Sequence, residues 1–263
     1  MIKKWFFIHD RNPGKGSWNM AVDDYLFRNL DDRPQTFLRF YTWKKPTVSL
    51  GYSQKSEKVL NEEFCRKNDI EVVRRITGGK LVLHFREVTY SICSSDTKLF
   101  TNTLKGSYRL ISEALITGLR EMGINASLST PPPSAYIQGD LPCFSYPAEN
   151  EIEVKGRKVV GSAQKRKNSK FLQHGSIPLV EEEDLLRAVS KLEDRREKVR
   201  MICLSEAMNQ NIDYNQAVSF LSKGMEEYFS VSLRSFEFSA EQQRQIKALQ
   251  KNRHENPEWI HRK

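Results

Sequence analysis

Residues 150–164 read NEIEVKGRKVVGSAQ, and this stretch constrains the fold more than any other part of the chain. NEIEV alternates between polar and apolar residues, Lys155-Gly156 is suited to a two-residue turn, and RKVVGSAQ leads back. A period of two is typical of a strand, and a two-residue loop joins strands that run antiparallel. The segment therefore predicts a β-hairpin in which Lys158 lies opposite Glu153, on the same face as Val160.

Strand and helix patterns follow one another through the first 180 residues. Apolar periodicity and turn residues predict strands at the amino terminus and over residues 36–43, 47–54, 70–76 and 80–95, the last as one or two strands. They predict helices over residues 16–32, with Ser17 as a candidate N-cap, and over 56–68 and 106–123. The last helix has the clearest pattern, with Gly123 at its end and one apolar side formed by Leu110, Ile111, Leu115, Leu119 and Met122.

The composition changes after Leu179, where charged segments with a helical pattern begin. The sequence shows neither an internal repeat nor a Gly/Ser linker at this point. We therefore expect one α/β domain, with a core over residues 1–180 and a helical C-terminal part of the same domain over residues 181–263. Residues 130–142 are rich in proline and are predicted to lack regular structure.

Charge points to the kind of partner. The 263 residues include 42 lysines and arginines against 33 acidic residues, a formal net charge of +9. This balance suggests an acidic partner, for which a nucleic acid and an acidic carrier protein are both candidates. The sequence has no zinc finger and no RNP-like aromatic motif. Net charge is therefore the one sequence feature that favours a nucleic acid, and we predict no nucleic-acid partner.

The apolar residues of the sequence do not predict a membrane protein. No run approaches the about 20 apolar residues that a membrane-spanning helix needs. The opening, MIKKWFFIHD, has an apolar stretch that is too short for a signal-peptide core and is better suited to a strand. A cytoplasmic location without a membrane partner is therefore expected.

The chain has four cysteines, which lie far apart in the sequence: Cys65, Cys93, Cys143 and Cys203. They form no CxxC pair and no metal-ligand spacing with the five histidines, so we predict neither a disulfide framework nor a metal site. Each cysteine is then either buried apolar filler or a reactive thiol. The residues alone leave both interpretations open for Cys143.

Lys158 also has two interpretations. In the hairpin it forms an exposed ion pair with Glu153, which would contribute little stability. Residues 161–163, Gly-Ser-Ala, are nevertheless small where a strand usually places bulk, and this leaves room for a ligand.

Two other segments combine glycine with histidine. RRITGGKLVLH (74–84) places Gly78 and Gly79 between strands, where they allow either the close approach of a ligand or a tight turn. The segment matches neither the P-loop nor the dinucleotide-binding GxGxxG pattern. LQHGSIPL (172–179) supplies His174 and Gly175.

Taken in order, these segments resemble the biotin/lipoate protein ligase superfamily, and most closely its cysteine-dependent octanoyltransferases. The segments that carry the resemblance are NMAVDDYL, FYTWKKPTVSLGYSQ, RRITGGKLVLHFREVTYS, SYRLISEALITGLREMG, DLPCF, NEIEVKGRKVVGSAQKR, LQHGSIPL and NPEW. The match is dense over residues 16–180 and looser over the C-terminal helices. Each motif is modest by itself, but their shared order makes chance implausible.

The resemblance implies a fold and a set of site residues. The fold is an α/β (α+β) arrangement with a central mixed, largely antiparallel sheet flanked by helices and a helical C-terminal appendage. Cys143 matches the cysteine that accepts the acyl group, and Lys158 matches the invariant lysine of the superfamily. The substrate-binding residues that it implies are Arg75, Gly78, Gly79, His84, Gly161, Ser162, Ala163, His174 and Gly175.

The implied activity is octanoyl transfer from acyl carrier protein, through a thioester on Cys143, to a lysine of a lipoyl-domain protein such as glycine-cleavage H protein. No cofactor is needed, because the donor thioester is already activated. One alternative is an ATP-dependent lipoate–protein ligase, and another is a non-catalytic subunit that binds acylated proteins. The ligases carry a third loop glycine, where this chain has Lys80, and a His-Asp…Gly-Asn segment, where it has HFREVTYS. Both departures favour the octanoyltransferase.

Overall fold

A computed structural model describes residues 2–129, 150–191 and 201–262 of the chain. The prediction for residues 130–142 and the role predicted for Cys143 therefore lie outside the described residues. Within these ranges the strands are β1 Lys3–His9, β2 Thr36–Tyr41, β3 Thr47–Leu50, β4 Glu71–Arg74, β5 Val82–His84, β6 Glu87–Ser94, β7 Ser127–Leu128, β8 Ile152–Val154, β9 Arg157–Lys167, β10 Lys170–Pro178 and β11 Val231–Ser235. The helices are α1 Gly16–Asn29, α2 Ser56–Val59, α3 Glu62–Lys67, α4 Leu104–Glu121, α5 Glu183–Val189, α6 Leu204–Met208, α7 Tyr214–Phe229, α8 Ala240–Leu249 and α9 Pro257–Ile260, with a π-helical turn at Gln250–His254.

The strands form two sheets. The large sheet has the order β11-β1-β2-β6-β10-β9-β8-β7, and the small sheet has the order β4-β3-β5. In the large sheet β1 runs parallel to both β11 and β2, and the pairs from β2 to β7 are antiparallel. The sheet is therefore mixed and largely antiparallel, as predicted.

Helices cover both faces of the large sheet. On one face α4 and α7 pack over Trp5, Phe40 and other strand side chains in the largest apolar cluster. The two helices approach closely because glycines meet between them: a Cβ on Gly224 would lie 2.2 Å from the backbone nitrogen of Gly118. On the other face α1 and α8 form a second cluster, to which α8 contributes Ile246.

The hairpin and the end of α4 follow the sequence prediction. Lys155 and Gly156 both have positive φ, 51° and 71°, as a type I′ turn requires. Gly123 follows α4 with φ of 81°, the left-handed conformation that commonly ends a helix.

The start of α1 differs from the prediction. Ser17 is not the N-cap, because the helix begins at Gly16 and the backbone amides of Gly16 and Ser17 donate to the carboxylate of Glu71 at 2.9 and 3.0 Å. The Ser17 hydroxyl donates instead to Glu255. A carboxylate from a neighbouring strand thus does what a local hydroxyl was expected to do.

Other boundaries were also too generous. The helix predicted over residues 56–68 is two short helices, α2 and α3, and strand β3 ends at Leu50. The residues after Leu179 are mainly helical, but they also supply β11, an edge strand that the charged pattern did not reveal. The division of the domain near residue 180 stays a prediction. No helix in the described ranges is long and apolar enough to cross a membrane.

Candidate functional site

An open cavity of about 590 Å³ lies where the small sheet meets the large one. Its lining includes most of the residues proposed from the sequence: Arg75, Gly79, His84, Lys158, Gly161, Ser162, Ala163, His174 and Gly175. Gly78 precedes Gly79 in the sequence but is not part of the lining, and Cys143 is not among the described residues. The lining also includes residues that the sequence did not indicate, because nothing in their local pattern marks them: Met20, Tyr41, Ser49, Lys80, Val82, Thr89, Glu151 and Ser176.

A β-bulge directs Lys158 into this cavity. Lys158 lies opposite Glu153 in the backbone register, as predicted, but Val160 lies opposite Ile152, so that Val159 is an extra residue on β9. A bulge interrupts side-chain alternation and turns a side chain to a new direction. Lys158 is consequently 4% exposed, and its interpretation as a surface partner of Glu153 is wrong.

Among the described residues, Glu151 is a side-chain partner of Lys158. The Lys158 Nζ donates to Glu151 Oε1 at 2.5 Å, and both side chains are buried at the cavity. The backbone of Lys158 is held from the C-terminal part of the chain, since its carbonyl accepts a hydrogen bond of 2.9 Å from the Ile202 amide. The site thus contains a buried ammonium fixed at both its backbone and its side chain.

In the segment LQHGSIPL, position 175 is a glycine because the ring of Tyr90 lies against the strand there. A Cβ on Gly175 would lie 2.6 Å from Cε1 of Tyr90 and 2.8 Å from the carbonyl oxygen of Gly161. The Tyr90 hydroxyl lies 2.7 Å from Ser162 Oγ and accepts from Gln173 at 2.9 Å. Burial raises the pKa of Tyr90 to about 12, so the phenol is a fixed hydrogen-bonding group and not a base at neutral pH.

His84 is held rigidly in the cavity wall. Its Nδ1 lies 2.8 Å from Glu87 and its Nε2 lies 2.7 Å from Ser49 Oγ, while its ring stacks on Trp43. Ser49 Oγ also accepts from Arg75, so the serine, the histidine and the arginine belong to one hydrogen-bonded group. His84 is thus held at both ring nitrogens and at its ring face.

Glu87 is a buried carboxylate whose oxygens are well satisfied. Besides His84 it accepts hydrogen bonds from Trp43 at 3.1 Å, from Thr89, and from Ser176 at 2.5 Å. Several donors are what a buried carboxylate needs in order to avoid a large desolvation cost. Glu87 therefore fixes one wall of the cavity.

His174 is fixed by a second buried carboxylate. Its Nδ1 lies 3.1 Å from Asp23 and its Nε2 lies 2.6 Å from Thr77 Oγ1. Burial lowers the pKa of His174 more than the Asp23 carboxylate raises it, so the ring is neutral at pH 7. Burial would raise the pKa of Asp23, but the hydrogen bond from His174 and the charge of Arg39 outweigh it, so Asp23 stays ionised.

The loop that contains Gly78 and Gly79 is organised by Arg75. Its guanidinium donates to the carbonyl oxygens of Gly78 and Lys80, at 3.0 and 2.6 Å from Nη2. Gly79 has φ of 91°, and its carbonyl oxygen would lie 1.9 Å from a Cβ on Gly51. These positions require glycine for the backbone geometry of the cavity wall.

The cysteines that the structure describes are Cys65, Cys93 and Cys203, and all of them are buried. Burial raises the pKa of the Cys65 thiol to about 11 and that of Cys93 well above its ordinary value. These two are therefore protonated at neutral pH and have the character of apolar filler. Within the described ranges no group of three metal-ligating side chains comes together.

Comparison with known proteins places the chain in a family. The lipoyl protein ligase A/B catalytic domain matches residues 15–226. Curated relatives named octanoyltransferase LipM are 35% identical in Anoxybacillus flavithermus, over 97% of both chains, and 34% identical in Bacillus anthracis, over 99% of both. The relative of that name in Bacillus subtilis is 31% identical over 98% of both chains.

Solved structures agree on the fold. A putative lipoate protein ligase from T. acidophilum with bound lipoic acid superposes with a TM-score of 0.82 at 21% identity, over 99% of both chains. A lipoate-protein ligase A bound with ATP gives a TM-score of 0.81 at 23% identity, also over 99% of both chains. The mixed sheet, the flanking helices and the match over most of the sequence lead to one conclusion: the chain belongs to the lipoyl protein ligase A/B catalytic domain family.

Proposed function

We propose that this protein is an octanoyltransferase. It moves an octanoyl group from acyl carrier protein to Cys143 and then to a lysine of a lipoyl-domain protein, such as glycine-cleavage H protein. Relatives with the name octanoyltransferase cover nearly the whole chain at 31 to 35% identity, and this supports the reaction class. A cytoplasmic location is part of the proposal.

The observation that carries the proposal is the buried ammonium of Lys158 at the cavity. Burying a lysine is costly, so the fold would favour an apolar residue at this position if packing were the sole requirement. A bulge, a carboxylate partner and small neighbouring residues all serve to place this one charge in the cavity. An acyl transfer that passes through anionic sulfur and oxygen atoms uses such a charge.

In the first half-reaction the Cys143 thiolate attacks the carbonyl carbon of the donor thioester. The tetrahedral intermediate carries a negative oxygen, and it collapses by breaking the bond to the donor sulfur, which leaves as a thiolate and takes a proton from solvent. A nearby ammonium favours the attacking thiolate and stabilises the oxyanion. We assign both effects to Lys158.

In the second half-reaction the acceptor lysine first loses its ammonium proton to solvent. Its lone pair then attacks the Cys143 thioester, the carbon–sulfur bond breaks, and the nitrogen loses its second proton. The products are the amide and the Cys143 thiolate. Exchange of one thioester for another costs little, and amide formation makes the sequence irreversible, so no ATP is consumed.

The strands beside Lys158 have groups that suit the same intermediate. Residues 161–163 belong to β9, where alternate backbone amides point away from β10, as an antiparallel ladder requires. We assign these amides to the oxyanion site. Apolar atoms of Met20, Val82 and Ala163 in the cavity lining suit the acyl chain.

Intact-mass spectrometry tests the proposal. The protein is mixed with octanoyl carrier protein without ATP or magnesium, and we expect it to gain one octanoyl group. Cys143→Ser should gain none, whereas Cys65→Ala, which changes a buried thiol of the small-sheet core, should be acylated like the wild type. Normal transfer by Cys143→Ser would exclude the thioester, and an adenylate formed from free octanoate and ATP at a rate comparable to transfer would favour the ligase.

A further inference from the structure

We infer that Glu151 is the positioning residue of the site, acting through Lys158 to direct its ammonium into the cavity. This inference rests on the proposed function, in which Lys158 acts on the Cys143 thioester. It adds a third residue, a carboxylate, to the cysteine and lysine.

The geometry distinguishes Glu151 from the glutamate that the hairpin pattern indicates. Glu151 lies just before β8, is 7% exposed, and contacts the Lys158 Nζ at 2.5 Å. Glu153 lies directly opposite Lys158 in the backbone register, but it is half-buried and is not part of the cavity lining. Glu151 therefore contacts the Lys158 ammonium, whereas Glu153 is opposite Lys158 in the backbone register.

Burial and charge explain why Lys158 requires this partner. Removal from water disfavours the charged form of a lysine, and a carboxylate in contact restores it. An ammonium has three N–H groups, so a short bond to one carboxylate oxygen also restricts the rotation of the group and fixes the direction of the others. Glu151 thus sets the orientation of the Lys158 ammonium.

A role limited to stability makes a different prediction from a positioning role. If the pair merely held the hairpin, loss of the Glu151 charge would lower stability, and transfer would return in any variant that restores stability. If Glu151 directs the ammonium, the transfer rate follows the position of the carboxylate, whatever the stability of the variant.

The test measures single-turnover transfer from the preformed Cys143 thioester in the full chain, together with the free energy of unfolding in urea. In Glu151→Gln we expect the transfer rate to fall at least about tenfold, because a misdirected ammonium stabilises the oxyanion poorly. Glu153→Gln is the matched control and should keep the wild-type rate. Glu151→Asp keeps the charge at a shorter reach, so it should transfer more slowly even where its free energy of unfolding equals that of the wild type.

A folded Glu151→Gln with the wild-type transfer rate would overturn the inference, and so would an equal loss of rate in Glu153→Gln. If Glu151→Gln does not fold, Glu151→Asp decides, because a wild-type rate in that variant would show that the reach of the carboxylate is irrelevant. Failure of the proposed function is seen separately, as absence of the octanoyl thioester in the wild type.

Discussion

Replacing Lys158 with methionine separates the stability of the ion pair from its role in transfer. Methionine matches the length of the lysine stem without its charge, so the variant leaves the Glu151 carboxylate buried at 7% exposure without its ammonium. Breaking a buried pair by removing one partner costs about 3–5 kcal/mol. We expect Lys158→Met to lose stability of this order, far more than the about 1 kcal/mol that an exposed pair contributes.

The double variant Lys158→Met/Glu151→Leu gives the contrast. Replacing both members of a buried pair by apolar residues of similar volume is often neutral or stabilising. The double variant should therefore recover most of the stability that the single variant loses, yet it should transfer as poorly. Loss of a group that stabilises an oxyanion costs about 10²-fold or more in rate, and we expect both variants to show a loss of that size.

Urea denaturation followed by circular dichroism gives the free energies of unfolding, and single-turnover acylation by octanoyl carrier protein gives the rates. If Lys158→Met were within about 1 kcal/mol of the wild type, the pair would be solvated in solution and the argument from burial would be wrong. If the double variant regained both stability and transfer, Lys158 would have no part in the chemistry.

Three further predictions follow from other parts of the structure. Burial lowers the pKa of His174 below 6.5, so the unfolded chain binds a proton at a higher pH than the folded chain does. Wild-type stability should therefore fall as the pH falls from about 6.5, and in His174→Gln this part of the pH dependence should be absent. Equal pH slopes of the unfolding free energy in urea, for wild type and variant, would contradict this prediction. Gly175→Ala places a Cβ 2.6 Å from a ring atom of Tyr90 and should lower the free energy of unfolding by about 1–3 kcal/mol. Gly161→Ala, whose Cβ would have its nearest contact at 3.5 Å, should lower it less. Equal melting temperatures of the two variants would argue against crowding at Gly175. Because the net charge is +9, the apparent KM for carrier protein should rise with ionic strength, while the rate of single-turnover transfer changes little. The variant Lys165→Glu/Lys167→Glu should raise the same KM. A KM that does not respond to salt would show that the charge serves solubility.

Local pattern was a good guide wherever neighbouring residues decide the structure. The Lys155-Gly156 turn and the end of α4 at Gly123 depend on a few adjacent residues, and both were predicted correctly. Pattern was a poor guide where a distant residue intervenes. The N-cap of α1 was assigned to Ser17, but Glu71 of β4 binds the first amides of that helix.

The roles of the predicted site residues stay predictions, although the structure gathers most of them at one cavity. Motif order placed Arg75, Lys158 and His174 in one site from the sequence. It did not indicate Glu151, because a glutamate in an alternating strand is most often an exposed residue. The feature that identifies Glu151 is the extra residue, Val159, on β9. It is recognised when the pairing register of β8 and β9 is known.

The sequence by itself determined the family, the antiparallel hairpin, the long helix α4 and the glycine positions, because each depends on residue type and short-range spacing. The tertiary structure alone decided which glutamate contacts Lys158 and that this lysine is buried. A bulge at Val159 changes the direction of side chains without changing the apolar pattern, so the sequence is compatible with either partner. The ammonium is buried where the two sheets pack together, and the backbone of Lys158 is held by the Ile202 amide, which is 44 residues further along the chain.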